Sequence, residues 1–220
     1  MNLNNWATKT LNSGITVLSS GTTGPPKRVF QPQDKLKEMC KVANEVQAIT
    51  QDSRILTVCK MDHAGGALAQ TLPALSIGAY VNVNQFNPYT FENDVKDYTH
   101  THLTPGHIEL LSKTKGFNDA RYDGLWVTCG SDRVHWWMIE YFVERGATFT
   151  CNWGMSEIGP VAINSTFNNL EKINMYRDLT PDGATIMGDE SQISLDIDKD
   201  GELIVWGNLC VVDDILKTGD

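Results

Sequence analysis

Apolar runs and amphipathic stretches alternate along the first two-thirds of the chain. The run Ile15-Thr16-Val17-Leu18 gives way at once to SSGTTGPPK, residues 19–27, which holds four hydroxyls, two glycines, two prolines and a lysine. Beyond it, Leu36, Met39, Cys40, Ala43 and Val46 recur at the spacing of one helical face, with Asp34 in place to cap that helix. Residues 54–59 (RILTVC) read as a strand. The apolar stretch from Ala67 to about Ile77 reads as a helix stopped by Gly78, and residues 80–83 read as the next strand. Residues 91–98 predict a short helix, 101–104 a strand, and 105–111 a helix with Pro105 in its first turn. Residues 125–129 (LWVTC) predict a strand, 134–144 (VHWWMIEYFVE) a helix ending at Gly146, and 147–151 (ATFTC) another strand.

This alternation predicts an α/β fold: a doubly wound, mostly parallel sheet flanked by helices, with ligands bound beyond the carboxyl ends of its strands. From about residue 160 the texture changes. Ile193-Ser-Leu-Asp-Ile-Asp198 alternates apolar with polar, Lys199-Asp-Gly201 supplies a turn, and 202–206 reads as a strand. The expected organisation is an α/β core over 1–160 with a small antiparallel β subdomain over 161–220. No internal repeat or low-complexity tract interrupts it.

Composition narrows the class of partner. A chain of 220 residues with 41% hydrophobic and 20% charged residues can bury a real core, roughly 70% of its unfolded surface, and is too apolar for disorder. The formal net charge is −9 and no basic block occurs, which argues against nucleic acid and for a small or charge-neutralised partner. No window approaches the roughly 18 apolar residues of a membrane span, and MNLNNWATKT lacks the regions of a signal peptide. The expectation is a cytoplasmic protein. Cys40, Cys59, Cys129, Cys151 and Cys210 form no CxxC pair and have no histidine at zinc-ligand spacing, so they are expected to be buried, reduced thiols. Asn164-Ser165-Thr166 matches a glycosylation acceptor only by chance if no secretory signal accompanies it.

Three stretches can carry chemistry, and each also has an ordinary structural reading. In 19–27, Gly21 and Gly24 let several backbone N–H groups face one concavity, the hydroxyls add donors, and Lys27 adds a point charge, all suited to phosphate. The same residues make a common surface turn. The stretch is not a Walker A loop, because Lys27 is followed by Arg28 rather than Ser or Thr. In CNWGMSEIG, residues 151–159, Trp153 offers a flat face, Gly154 permits close backbone approach, and Glu157 can hold a divalent metal; alternatively Trp153 is core and Glu157 merely solvated. Near the end, GELIVWGN (201–208) precedes KTGD (217–220), where Asp220 can accept hydrogen bonds from a diol.

Taken in order, these blocks resemble the adenylate-forming superfamily of acyl-CoA synthetases, nonribosomal-peptide adenylation domains and luciferases, over residues 15–220. SSGTTGPPK is similar to that family's phosphate loop, NWGMSE to its (Y/F)GxTE block, GELIVWG to its GEL-x-hydrophobic-x-G strand, and KTGD to its (Y/R)TGD. Weaker matches place Asp62-His63-Ala64-Gly65-Gly66 beside an acyl pocket and Thr128-Cys129-Gly130-Ser131 along an adenine site. Ser156 replaces the usual Thr, Trp153 the usual Tyr or Phe, and Arg28 a common Gly.

The resemblance implies ATP-dependent activation of a small-molecule carboxylate to an acyl-adenylate, with Mg²⁺ and, in many relatives, coenzyme A. It implies catalytic roles for Lys27, Ser156 and Glu157, and metal contacts from Thr23 and Glu157. Nucleotide contacts are implied for Ser19, Ser20, Gly21, Thr22, Thr23, Gly24, Lys27, Gly130, Ser131, Asn152, Trp153, Gly154, Ser156 and Asp220. His63, Gly65 and Gly66 fall in the acyl pocket, although His63 equally suits a capping or core position. Full members carry a region before the phosphate loop and a mobile C-terminal domain after TGD, which brings a second lysine. A chain without them is expected to adenylate slowly, or to serve as a nucleotide-binding module completed by a separate C-terminal domain or acceptor protein. Asp220, as the last residue, is expected to fray.

Overall fold

The structure, a computed structural model, describes residues 2–19, 26–181, 184–212 and 214–220. It opens with a helix the apolar pattern does not announce, α1 (Leu3–Ser13), whose N-cap Asn2 accepts from the Asn5 N–H at 3.1 Å. Gly14, at φ +78°, turns the chain into β1 (Ile15–Leu18), which pairs antiparallel with β2 (Arg28–Gln31). The helix α2 (Gln33–Val46) buries Leu36, Met39, Cys40, Val42 and Ala43 as its spacing requires. Its N-cap residue is Pro32, not Asp34; the Asp34 carboxylate lies in the first turn, where it favours the helix dipole without capping.

Next come β3 (Arg54–Thr57) and a composite helix: α3 (Ala64–Gly66), a π-helical turn (Ala67–Thr71) and α4 (Leu72–Ser76). This helix starts three residues before the expected Ala67, and Gly78 at φ +84° follows its end. The remaining elements are β4 (Tyr80–Val83), α5 (Phe91–Asp94), β5 (His100–Leu103), α6 (Pro105–Leu111), β6 (Trp126–Cys129), α7 (Trp136–Glu144), β7 (Thr148–Met155), β8 (Gly159–Phe167), α8 (Leu170–Asp178), β9 (Glu190–Ser191), β10 (Ser194–Ile197), β11 (Leu203–Trp206) and β12 (Leu216–Lys217).

The main sheet has seven strands in the order β4-β3-β5-β6-β7-β8-β9, parallel from β4 to β7 and antiparallel from β7 to β9. A separate antiparallel sheet contains β10, β11 and β12. The expected division at residue 160 therefore falls inside β8, a strand of the large sheet; only residues 194–217 supply the small one. Residue 160 marks a change in strand direction.

The two faces of the main sheet differ in chemistry. One carries Leu56, Val127, Phe149 and Phe167, packed with Phe91, Ile108, Met138, Phe142 and Ile173 into the largest apolar cluster. On the other face, Thr57, His102, Thr128, Thr150 and Thr166 stand in register on five successive strands. A buried hydroxyl needs a partner, and this face finds its partners partly in the elements that cover it and partly in neighbouring strands. Thr57 meets Thr71 of the π turn at 2.6 Å, and Thr150 accepts from Trp126 Nε1 at 2.9 Å and lies 2.8 Å from Thr166. Thr128 donates to Gln47 Oε1 at 2.7 Å, and Gln70 of the π turn donates to the same oxygen at 2.9 Å. The Gln47 amide nitrogen in turn donates to the carbonyls of Ala43 and Ala69, at 2.9 and 2.7 Å.

Gln47 is fully buried and joins α2, the π turn and β6. Gln47→Leu keeps the volume but strands these groups, and the expected loss of unfolding free energy is about 1–3 kcal/mol. Urea denaturation followed by far-UV circular dichroism measures it.

His102 is buried, and that desolvation pushes its pKa down to about 4; nearby His107 acts in the same direction and the Asn152 amide opposes it. Between the ordinary histidine value near 6.5 and this value, the unfolded chain binds the extra proton, so stability falls as pH is lowered. Between pH 7 and 5 the His102 contribution to this loss is about 2 kcal/mol. Urea midpoints at the two pH values check this: His102→Gln is expected to lose correspondingly less on acidification.

Candidate nucleotide and acyl site

The hairpin β1–β2 brings Ser19 and Lys27, the two ends of the 19–27 stretch, side by side. Its base is closed twice: the Ser19 N–H donates to the Lys27 carbonyl at 2.9 Å, and the Lys27 N–H donates to Ser19 Oγ at 2.9 Å. Lys27 itself is exposed. Ser20, Gly21, Thr22, Thr23 and Gly24 lie outside the described residues.

The hairpin does not stand free. The Leu18 N–H donates to the Asp62 carbonyl at 2.9 Å, and Leu18 pairs with His63 in a parallel bridge. This brings the 62–66 segment against the loop base. His63 occupies the N-cap position of α3, but its side chain makes no capping hydrogen bond and is 37% exposed, so neither a side-chain cap nor a core position describes it. Gly66 has no room for a side chain: a Cβ there would lie 2.0 Å from the Lys60 carbonyl. Gly65 faces the His102 ring, where a Cβ would stand 3.1 Å from Cε1.

From the other side comes the turn after β7. Ser156 is buried, and its hydroxyl donates to the Leu18 carbonyl at 3.5 Å while its own carbonyl accepts from Gln31 Nε2. Two contacts thus join the hairpin to the Ser156 turn. Glu157 is half-buried, and its carbonyl accepts from the Val211 N–H at 2.9 Å. Further back on β7, Asn152 is buried with its amide nitrogen on the Pro160 carbonyl, and Gly130 at the end of β6 packs against the Asn152 backbone and side chain. The neighbouring Ser131 adopts φ +75°. Gly154 packs on the Gly159 and Pro160 backbone.

The last residues reach the same place. Trp153 Nε1 donates to the Asp220 carboxylate at 3.0 Å. Asp220, expected to fray, makes two hydrogen bonds here: the Leu203 N–H donates to its carbonyl at 2.9 Å, and its own N–H donates to Thr218 Oγ1 at 3.1 Å. Residues Ser19, Lys27, His63, Trp153, Ser156 and Asp220, spread over the whole sequence, are therefore linked through a few short contacts.

Gln31 and His102 were not singled out by sequence, and Cys59 was read only as one of five buried, reduced thiols. Gln31 is a fully buried amide in a short strand, and nothing local marks its reach to Ser156. Cys59 Sγ lies 3.4 Å from His102 Nδ1 and 3.3 Å from the His102 carbonyl; burial pushes its pKa up to about 12, so the thiol keeps its proton. The alternation THTHL in β5 was the available signal for His102. All five cysteines are free, four of them buried and Cys59 half-buried. Among the described residues no helix is long and apolar enough to cross a membrane, and no group of three or more His, Cys, Asp or Glu side chains could hold a metal by itself.

Comparison with known proteins accords with this arrangement. An indoleacetate–CoA ligase from Aromatoleum aromaticum is 32% identical over 148 residues, covering 66% of this chain and 29% of the ligase. Among solved structures, O-succinylbenzoate coenzyme A synthetase (MenE) from Bacillus subtilis, in complex with ATP and magnesium ion, superposes with a TM-score of 0.73 at 18% identity, over 93% of this chain and 46% of that one. ATP-bound MatB from Rhodopseudomonas palustris gives 0.68 at 13% identity, over 89% and 39%. The chain thus spans less than a third of the curated relative and under half of these two structures. The profile of the AMP-binding enzyme family matches residues 15–212, nearly the whole chain, and the chain belongs to that family.

Proposed function

We propose that the chain binds ATP and a small carboxylic acid and joins them as an acyl-adenylate. A carboxylate oxygen attacks the α-phosphorus, the bond from that phosphorus to the bridging oxygen breaks, and pyrophosphate leaves. The acid is already ionised at neutral pH, so no general base is needed, and the work of the site is to hold and neutralise phosphate charge. The observation that carries this reading is the convergence of the 19–27 loop base, the Ser156 turn and Asp220 through the Ser156–Leu18 and Trp153–Asp220 contacts.

In this reading Ser19, Ser20, Gly21, Thr22, Thr23, Gly24 and Lys27 grip the β- and γ-phosphates, and Ser156 lies near the α-phosphate. Gly130, Ser131, Asn152, Trp153 and Gly154 border the nucleoside, and Asp220 takes the ribose. His63, Gly65 and Gly66 border the acid. The residues present fit Mg²⁺, which takes one or two carboxylates and fills its remaining positions with phosphate oxygens and water. Glu157 is a half-buried carboxylate with no Lys or Arg ion pair among the described residues, and Thr23 is the second proposed contact. When bound, the ion neutralises charge on the phosphates as pyrophosphate departs. The ligase relative supports a carboxylic acid as substrate and coenzyme A as acceptor of the acyl group.

A second reading has its own observation. The similarity to the ligase covers 29% of that protein, and the part matched is also compatible with a nucleotide-binding module that works with a C-terminal domain or acceptor protein. ATP–pyrophosphate exchange with a panel of carboxylates separates the two. The adenylating reading expects exchange that falls by about 100- to 1000-fold in Glu157→Ala and in Lys27→Ala. ATP binding, measured by calorimetry, with no exchange for any acid overturns it and supports the module.

A further inference from the structure

A cavity of about 450 Å³ lies between α5, the segment 111–120 that follows α6, and α7. Its walls continue the apolar cluster through Leu111, Ala120, Tyr122 and Tyr141. Gly65 and Asn152 of the proposed nucleotide and acid site stand on the polar face instead, Gly65 against the His102 ring and Asn152 two residues beyond Thr150. The main sheet therefore separates the two places. The size falls within the roughly 300–1,000 Å³ usual for small-molecule sites.

An acid, two bases and an aromatic plate line this cavity. Glu92, on α5, reaches across the gap to the far wall: a Cβ at Gly116 would stand 3.3 Å from its Oε2. Lys113 and Lys115 come from the loop that carries Gly116, and both are exposed. Although they share a cavity, neither lysine forms an ion pair with Glu92 among the described residues. Phe117, half-buried, is the plate. Its ring lies parallel to that of Tyr141 at 3.7 Å, while the Arg145 guanidinium covers the Tyr141 ring at 4.1 Å. Two flat groups that close on one ring take its opposite faces, so the stack leaves the outer face of Phe117 for a ligand. The phenols behind it are already engaged: Tyr141 donates to the Phe117 carbonyl at 2.7 Å, and the Tyr122 hydroxyl lies 3.3 Å from that of Tyr141. Burial, and to a smaller degree the Glu92 charge, push both phenol pKa values up, so they stay neutral near the carboxylate.

We infer that this cavity is a second ligand site, and that it takes a small aromatic zwitterion: a ring whose short chain bears both an ammonium and a carboxylate, as in an aromatic amino acid. The ring extends the Phe117–Tyr141–Arg145 stack. The ammonium donates to Glu92, and the carboxylate accepts from Lys113 or Lys115. A molecule with only one of the two charges leaves one sign of the wall unanswered. An exposed ion pair alone contributes little, so recognition depends on the ring and both charges acting together. Bound in this way, the ligand ties α5 to the 111–120 segment. The inference is independent of the adenylating reading, since none of its residues belongs to the nucleotide or acid site.

Four probes test this by calorimetry on the intact chain: L-phenylalanine, its analogue without the ammonium (3-phenylpropionate), its analogue without the carboxylate (2-phenylethylamine), and L-alanine, which lacks the ring. L-Phenylalanine is expected to bind about 10-fold or more tightly than each of the other three. Glu92→Gln is expected to weaken L-phenylalanine by about 10-fold while 3-phenylpropionate stays within about threefold. The double variant Lys113→Gln/Lys115→Gln is expected to do the reverse, weakening L-phenylalanine while 2-phenylethylamine holds. Phe117→Leu is expected to weaken all three aromatic probes. Thermal midpoints check that the variants fold; should Phe117→Leu fail to, the charge variants, which alter only half-buried and exposed side chains, decide the outcome. No binding of L-phenylalanine overturns the inference. So does binding that neither Glu92→Gln nor the double lysine variant changes, because the molecule then sits elsewhere on the protein.

Discussion

The structure depends on satisfying a row of polar side chains inside the sheet. Thr57, His102, Thr128 and Thr150 are buried on one face, where each unpaired hydroxyl would cost about 1–3 kcal/mol. An ordinary apolar helix laid on this face would leave them open. The chain instead covers it with the end of α2, which supplies Gln47, and with a π-helical turn. In that wider turn the Leu72 N–H reaches back five residues to the Ala67 carbonyl, and both Gln70 and Thr71 find partners on the sheet.

That solution reaches the candidate site by a short chain of contacts. Thr71, bound to Thr57, also donates to the Gly66 carbonyl at 2.6 Å, which ties the 63–66 segment to the sheet. The same segment holds Leu18 through the Asp62 carbonyl and the His63 bridge, and Leu18 leads directly into the loop base at Ser19 and Lys27. Ser156 closes the circuit on the Leu18 carbonyl, with Gln31 holding it from behind. The loop base is thus positioned by a packed interior as well as by its own hairpin. Gln47, Thr71 and Gln31 thus fix where the residues proposed for the site stand.

What could be read in the sequence follows from what is local. Strand and helix alternation was legible because each element repeats its own period, and the four blocks at 19–27, 152–157, 201–207 and 217–220 were legible because their residue types are unusual in combination. The threonine row was not legible. It depends on which residues stand opposite one another on different strands, and RILTVC, THTHL, LWVTC and ATFTC do not state their mutual register. The change of texture near residue 160 has a related explanation. A change to alternating polarity marks an antiparallel strand, but not which sheet it joins, and β8 joins the large one. The helix α1 escaped notice because it is mostly polar, with Trp6 and Leu11 packing against the hairpin cluster.

Charge is distributed along the site in a way the physics of burial requires. Lys27 and Asp220 are exposed and Glu157 half-buried, so the groups proposed for phosphate, ribose and metal remain near water until a charged ligand arrives. Further in, His102 titrates at about 4 and Cys59 at about 12, so both are neutral near pH 7. Desolvating an ion without a partner costs far more than desolvating a dipole, which is why these buried groups stay uncharged. Under the proposed function the negative groups of both substrates therefore belong at the exposed end of the site, beside Lys27, rather than against this neutral interior, where no charged side chain among the described residues stands ready to offset them.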